Sequence, residues 1–302
     1  MLEKLIDLMI PSVYLMAMGL PSAQLDAFME IAKRGGFSPA AKHLNISQSA
    51  LSQRIKNLEE ELSLTLFVRT PTGVLLTEQG ARLLKYCQTR NALEEELAQE
   101  LNASGFFEMA GTIRIGGYSS VFRSVMIPSL TGILRRYPKI LIEFVSRSMD
   151  DLPEMLQRAE VDMIVMDYTS ERSDLQAEVL GHEKFVVIES KKCTSRDDIF
   201  LDNDSQDRAT EMFFRKQKGK LPKYRRSYFT DCYGIIDGVR AGLGKAVMSE
   251  HLVKDDNSLR IVEGYKAHSL DVVLHYHRQP FYSKLHQAIV SELKSNANQH
   301  LG

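Results

Sequence analysis

The chain offers little to the common enzyme chemistries. Its three cysteines, Cys87, Cys193 and Cys232, are scattered and none stands in a C-x-x-C arrangement. Neither a disulfide framework nor a zinc site is expected, and a reducing compartment suits them. The stretch from Gly238 to Lys245 ends in lysine, but it has the wrong spacing for a phosphate loop and no Ser or Thr follows. Gly116-Gly117 lacks the further glycine that dinucleotide binding needs. His275 and His277 fall on one face of an alternating run without a Glu or Cys at helical spacing, so they read as solvated histidines rather than metal ligands. No Ser-His-Asp order and no carboxylate pair stands out, and no catalytic residue, metal or cofactor is expected.

Two further shortages narrow the class. Net charge is −1 over 302 residues, so no overall basic balance advertises nucleic acid. Past residue 19 no apolar run approaches membrane length. The first nineteen residues, MLEKLIDLMIPSVYLMAMG, are interrupted by Pro11 and lack the basic start and cleavage site of a secretory signal. They read as an extension over 1–19, or as a start codon placed too early with Met16 or Met18 as the true beginning. A cytoplasmic protein without a membrane partner is expected.

What the chain does have is concentrated in residues 37–62, FSPAAKHLNISQSALSQRIKNLEEEL. A helix opening at Ser38-Pro39 is expected, with the serine oxygen as its cap. Ala40 and Ala41 are small enough for a steep helix crossing. Asn45-Ile46-Ser47 makes the break, with Ser47 capping the next helix and Ile46 plugging the corner. That helix buries Leu51, Ile55, Leu58 and Leu62 and leaves Gln48, Ser49, Ser52, Gln53 and Lys56 on the other face. Short hydrogen-bonding side chains at the front of such a helix suit base edges in a major groove, although any solvated helix has a polar side. The neighbours favour DNA. LDAFMEIAKRG gives a covering helix through Leu25, Phe28, Met29 and Ala32, stopped by Gly35-Gly36. Two short apolar runs around Thr70-Pro71-Thr72-Gly73 predict a hairpin wing. Between Leu20 and Arg90 nine basic side chains face six acidic ones, a modest local surplus.

Residues 20–80 resemble the DNA-binding domain of LysR-type transcriptional regulators. The resemblance is carried by Leu25, Phe28, Phe37, Ala40-Ala41, Leu44, Ser47-Gln48-Ser49-Ala50-Leu51-Ser52, Ile55, Leu58-Glu59, Leu62, Leu66-Phe67, Arg69, Leu76-Thr77 and Gly80. Ser63 stands where that family usually has glycine, and Leu75 takes a wing position that is often basic. The expected DNA-binding residues are Ser38, Gln48, Ser49, Ser52, Gln53, Arg54, Lys56 and Arg69, in a winged domain over 20–76. From Thr77 the proline-free run TEQGARLLKYCQTRNALEEELAQELNA predicts a long helix over 77–105. Leu83, Tyr86, Arg90, Leu93, Leu97 and Leu101 recur along it at steps of three and four. The resemblance makes it the linker that pairs two subunits.

Beyond Gly105–Gly111 strands alternate with helices. Strands are expected at Thr112–Gly117, Ile140–Val145, Met163–Met166 and Phe185–Ile188, with helices at Val121–Tyr137, Asp150–Ala159 and from Pro280, which predicts mostly parallel α/β units. Ligands sit at strand C-terminal ends in such sheets. That rule selects Ser119 and Ser120, then Ser146, Arg147 and Ser148, and a third cluster, Thr230 and Asp231, before the helix IIDGVRAG; helix capping is the alternative role for each. Here the resemblance is looser, through Ile115-Gly116, Tyr137-Pro138, Asp162–Val165 and Ala241–Gly244. It implies a periplasmic-binding-protein-like regulatory domain over 111–302, with subdomain I at 111–187 and 267–302 and subdomain II at 188–266. The chain would cross near Glu183–Glu189 and Val262–Ala267. The fold class is thus α+β and multidomain, and the function an effector-responsive transcriptional regulator. Its partners would be an operator duplex, an unidentified small-molecule effector, a second copy in a homodimer that pairs into a homotetramer, and RNA polymerase. The alternatives are a solute sensor or scaffold without operator binding, or a redox sensor using Cys193 with Cys232, since a peroxide-sensing branch of the family uses such a pair.

Overall fold

A computed structural model describes residues 20–71, 73–102, 109–217 and 223–301; the expected extension over 1–19 lies outside them. The chain forms two compact units, an N-terminal one, to which Pro153–Glu160 also belongs, and a C-terminal one made of the rest beyond the linker.

The N-terminal unit begins with α1 (Ser22–Arg34), α2 (Phe37–His43) and α3 (Gln48–Leu62). Helix α1 buries Leu25, Ala27, Phe28 and Ile31 and stops at Gly35, whose φ of 69° suits a residue without Cβ. Ala40 and Ala41 are buried where the helices meet, as the close crossing requires. Asn45, at φ 53°, bends the chain left-handedly, and Ser47 Oγ accepts from the Ala50 N–H at 3.1 Å to cap α3. Leu51, Ile55 and Leu58 are buried in one core with α1. Helix α2 departs from expectation at its start. It begins two residues early, at Phe37, after Gly36 in an extended conformation, and no side chain caps it. Ser38 therefore lies inside the first turn, where its hydroxyl is free to point outward.

The wing is a two-stranded hairpin, β1 (Phe67–Thr70) and β2 (Gly73–Leu76), with Val68 opposite Leu75. Glu59 of α3 ties it down: its Oε1 accepts from the backbone N–H groups of Leu66, at 2.6 Å, and Phe67, at 3.4 Å. The 25-residue α4 (Glu78–Asn102) follows, with Thr77 Oγ1 accepting from the Gly80 N–H. A Cβ at Gly80 would collide with the Leu66 carbonyl, so only glycine lets α4 leave the wing so closely. Leu83 packs into the core and Cys87 is buried there. Farther along, Tyr86, Leu93, Leu97 and Leu101 are exposed, the last two by 54% and 78%.

In the C-terminal unit β3 (Gly111–Gly117) leads into one unbroken helix, α5, made of Ser119–Val121, a π-helical stretch at Phe122–Met126, and Ile127–Arg136. Then come β4 (Ile140–Ser146), α6 (Leu152–Gln157, which beyond Leu152 is grouped with the N-terminal unit), β5 (Met163–Met166), β6 (Leu175–Ser190), β7 (Ile199–Asp202), α7 (Ala209–Arg215), β8 (Arg225–Tyr228), α8 (Cys232–Arg240), β9 (Ala246–Ser249), α9 (Glu250–Val253), β10 (Leu259–Ile261), β11 (His268–His277), α10 (Lys284–Asn296) and α11 (Asn298–Leu301). The main sheet runs β10-β6-β11-β5-β3-β4, with β9 also on β6. Parallel pairs are β3 with β4 and β5, and β7 with β8; β11 runs antiparallel to both β5 and β6.

One core gathers Ile115, Val121, Met126, Leu274, Ile289 and Leu293, and another Val186, Ile188, Leu201, Ile236 and Met248. The strand β6 serves both. Residues 175–185 pair with β11 and residues 185–188 with β9, so the chain changes sides at about Phe185.

Three boundaries differ from expectation. Helix α10 starts at Lys284 rather than Pro280, because Ser283 Oγ accepts from the His286 N–H and sets the start there. Helix α6 is shorter than Asp150–Ala159 and ends before Ala159, which stands at φ 55°. The strand expected at Phe185–Ile188 runs sixteen residues, since its first half is paired along β11.

Ser63 closes α3 at φ 53°, a left-handed position that costs a residue with Cβ roughly 1 kcal/mol. Ser63→Gly is expected to stabilise the protein by about 0.5–1 kcal/mol after the entropy that glycine adds to the unfolded chain; urea denaturation checks this, and a loss of stability would show that the serine side chain supports the turn.

Candidate nucleic-acid interface and effector cleft

The polar face of α3 gathers the side chains expected to meet DNA. Gln48, Ser49, Gln53 and Lys56 are exposed and Ser52 partly so. Neighbours hold several of them. Ser38 Oγ donates to Gln48 Oε1 at 3.4 Å, Ser47 and Ser49 share a hydrogen bond at 3.0 Å, and Gln53 Nε2 donates to Asn57 Oδ1 at 2.7 Å. Lys56 lies 3.5 Å from Glu60. Ser38 thus joins this face from α2 even though it caps nothing. Arg54 does not join it. At 100° per residue it sits about 140° round α3 from Ser49, half-buried beside the apolar stripe. Arg69 stands on β1 with its guanidinium 5.0 Å from the Phe37 ring centroid, a cation–π contact that orients it. The wing around it is apolar: Val68 and Leu75, cross-strand partners, are both about half exposed.

In the C-terminal unit the chosen residues collect at strand ends. Gly117 and Ser146 are paired in register at the C-terminal ends of β3 and β4, so Ser119-Ser120 and Ser146–Ser148 leave the sheet side by side. Across from them stands the start of α8. Ser119 Oγ lies 3.6 Å from Cys232 Sγ, Tyr233 OH donates to the Ser119 carbonyl at 3.4 Å, and the Arg123 guanidinium rests 4.2 Å above the Tyr233 ring. Two helix N-termini therefore meet at one cleft.

Other members of the set have local work. Asp231 Oδ1 accepts from the N–H groups of Tyr233 and Gly234 and caps α8. Ser148 Oγ donates to Asp151, and Arg147 Nη1 donates to the Ser146 carbonyl. Thr230 is strained at φ 60°, with its N–H on the Asn203 carbonyl. Of the residues on the β3 and β4 side, Ser119 borders the opposing helix.

Sequence reasoning missed what lies beneath. Glu183 on β6 is 1% exposed. It accepts from Tyr118 OH at 3.2 Å, from His251 Nε2 at 2.9 Å and from Ser249 Oγ. His251 Nδ1 lies 2.6 Å from Ser124 Oγ, which also donates to the Ser120 carbonyl at 2.7 Å. Burial, and then the charge of Glu183, push the Tyr118 hydroxyl well above the usual tyrosine range. No local signal marked it, because Glu183 stands in the polar stretch His182-Glu183-Lys184 before Phe185.

The histidines also depart from expectation. His275 is not solvated: it is fully buried, its Nε2 accepts from the Ser170 N–H at 3.0 Å, and burial lowers its pKa. It faces Ile164 across β11 and β5, so its strand is interior. Among the described residues no cluster of His, Cys, Asp and Glu is arranged to hold a metal.

Comparison with known proteins fits this geometry. Residues 22–81 match the family of bacterial regulatory helix-turn-helix proteins of the lysR family, and residues 108–298 match the LysR substrate binding domain. The chain belongs to the LysR family of transcriptional regulators. It is 30% identical to the HTH-type transcriptional regulator DgdR of Burkholderia cepacia over 80% of this chain and 81% of that one. Its fold resembles the crystal structure of ArgP from Mycobacterium tuberculosis, with TM-score 0.75 and 20% identity over 92% and 97% of the two chains. It also resembles full-length LysG of Corynebacterium glutamicum with bound effector Arg, with TM-score 0.71 and 18% identity over 92% and 100%. A LysR-family regulator is no enzyme, and among the described residues no helix is long and apolar enough to cross a membrane.

In this arrangement Cys193 and Cys232 stand apart rather than paired. Cys193 packs at Gly242, beyond the C-terminal end of α8, while Cys232 opens that helix. Ten residues of helical rise separate those ends by about 15 Å, far beyond the reach of a disulfide. Burial also raises the Cys232 thiol pKa, which keeps it from the thiolate form.

Because Asp231 caps α8, Asp231→Ala is expected to cost about 1 kcal/mol of stability while Asp231→Asn costs only a few tenths. Thermal unfolding of the two variants decides it; equal losses would mean that the charge, rather than the cap, is what matters.

Proposed function

We propose that this regulator reads its operator through the α3 face, with Gln48, Ser49, Ser52 and Gln53 on base edges and Lys56 and Arg69 on phosphates. Ser38 orients Gln48, and Arg54 contributes from the flank. The observation that carries this reading is the cluster of short polar groups, held by neighbouring Ser38, Ser47 and Asn57, on the exposed front of a helix fixed by Ser47 and by the Glu59 clamp on the wing. Preformed side-chain geometry lowers the entropy lost on binding. The winged domain is assigned to 20–76 and the linker to 77–105.

Two copies are proposed to join through α4. Its exposed stripe of Tyr86, Leu93, Leu97 and Leu101 is what an unpaired helix face presents before a second helix covers it. The helix is about 38 Å long at 1.5 Å per residue, close to one duplex turn. Pairing of dimers into a tetramer, contact with RNA polymerase and a cytoplasmic location follow from the operator function and belong to the same proposal.

The effector is assigned to the cleft between subdomain I (111–187 with 267–302) and subdomain II (188–266), against Ser119, Ser120, Ser146, Arg147 and Ser148 on one side and Thr230 and Asp231 on the other. Support comes from the two helix N-termini that converge there, which favour a carboxylate or similar anion, and from the LysG relative, whose structure carries bound effector Arg. To act, the effector must bind one arrangement of the subdomains better than another.

Gel-shift titration against the promoter beside its own gene tests the first part. Ser49→Ala and Gln53→Ala are expected to cost specific binding about 1–3 kcal/mol each and to relax sequence preference. Lys56→Ala is expected to weaken all duplexes and flatten the salt slope by about one. Unchanged binding by all three would mean that another face meets DNA. For the linker, Leu97→Glu places a charge in the proposed seam and should shift the chain toward monomer in light scattering; a dimer of unaltered strength would remove α4 from the interface.

A further inference from the structure

We propose that Glu183 and His251 form a buried charge pair that locks the two regulatory subdomains together and positions the Tyr118–Ser120 wall of the cleft. The proposal rests on reading that cleft as the effector site, but its test needs no effector, so the two can fail separately.

The argument starts from counting protons. Ser124 carries one hydroxyl hydrogen, and the Ser120 carbonyl, 2.7 Å away, can only accept. If Ser124 donates there, its contact with His251 Nδ1 at 2.6 Å requires the ring nitrogen to donate. The other nitrogen, Nε2, lies 2.9 Å from Glu183 Oε1, and a carboxylate only accepts. One proton between His251 Nε2 and Glu183 Oε1 then closes all three contacts, and because Tyr118 OH and Ser249 Oγ also donate to Glu183, that proton is placed on His251, an imidazolium against a carboxylate. A second carboxylate, Asp167, follows β5 and lies close enough for Glu183 to raise its pKa, after burial as the larger cause. A cation at His251 offsets the negative charge gathered there.

The members come from both sides of the chain crossing. Tyr118 and Ser124 belong to the end of β3 and the start of α5, and Ser249 and His251 to β9 and α9. Glu183 sits on β6 two residues before it changes partners. Separating the subdomains would break these bonds to Glu183, which is 1% exposed, and a buried charge that loses its partner is strongly destabilising. The chain also reaches the cleft wall. Ser124 fixes the Ser120 carbonyl, and Tyr118 directly precedes Ser119. Glu183 and His251 are thus positioning residues, acting on the cleft through Tyr118 and Ser124.

Hydrogen exchange of the full chain tests this without ligand. Glu183→Gln leaves the His251 cation unpaired and should speed exchange of the amides around residues 118–126 and 246–253 by at least about tenfold. Amides of α3 should be unaffected. Adding His251→Gln removes the orphan charge, and the double variant should return to within about threefold of wild type. Wild-type protection in Glu183→Gln, or a double variant as fast as the product of the single effects, overturns the pair. Should Glu183→Gln fail to fold, Ser124→Ala removes one neutral link only. Faster exchange on the far side, around residues 249–251, is then expected, and a change confined to residues 119–124 overturns the coupling.

Discussion

The regulatory half of this protein depends on one strand belonging to two places. Because β6 pairs with β11 along its first part and with β9 along its second, the backbone ladder runs uninterrupted from one core to the other. A hydrogen-bonded ladder resists shear along its length, so this strand ties the two cores to one another through backbone bonds. The ends of β3 and β4 and the start of α8 are carried on either side of it. A small rotation opens or closes what lies between them, and a ligand that bridges the two sides has leverage.

The DNA-binding half depends on a different device. Three helices as short as α1 to α3 would be marginal alone, and they are fixed by a shared core with almost no room in it, which is why alanines occupy the crossing. The wing adds an external brace through the Glu59 carboxylate. The result is a rigid presentation of polar side chains, and rigidity is what separates a base-reading helix from an ordinary solvated one.

Legibility in the sequence followed locality. The helix-turn-helix was readable because its signals lie within a few residues of each other: the Ser47 cap, the period of Leu51, Ile55 and Leu58, and Gly35 as a stop. Strands β3, β4 and β5 were readable as short apolar runs. The first half of β6 was not, because Gln176, Glu178, Gly181, His182 and Glu183 make it look like a loop, and only its pairing with β11 makes it a strand. Glu183 itself finds its donors 65 to 68 residues away, beyond anything periodicity encodes. His275 misled in the same way, since whether a strand is central or at an edge is a property of the whole sheet. At the strand ends, sequence reasoning could not tell capping from ligand contact, and Asp231 is occupied by its own helix.

The apolar pair Val68 and Leu75, set beside the single cation Arg69 in the hairpin, has a bearing on how this regulator would respond to its ionic surroundings. Apolar groups set against a duplex displace water without liberating counterions. Binding energy drawn from that hairpin would persist when salt weakens the cationic contacts, so discrimination between sites should fade more slowly with osmotic stress than in a relative whose hairpin is basic.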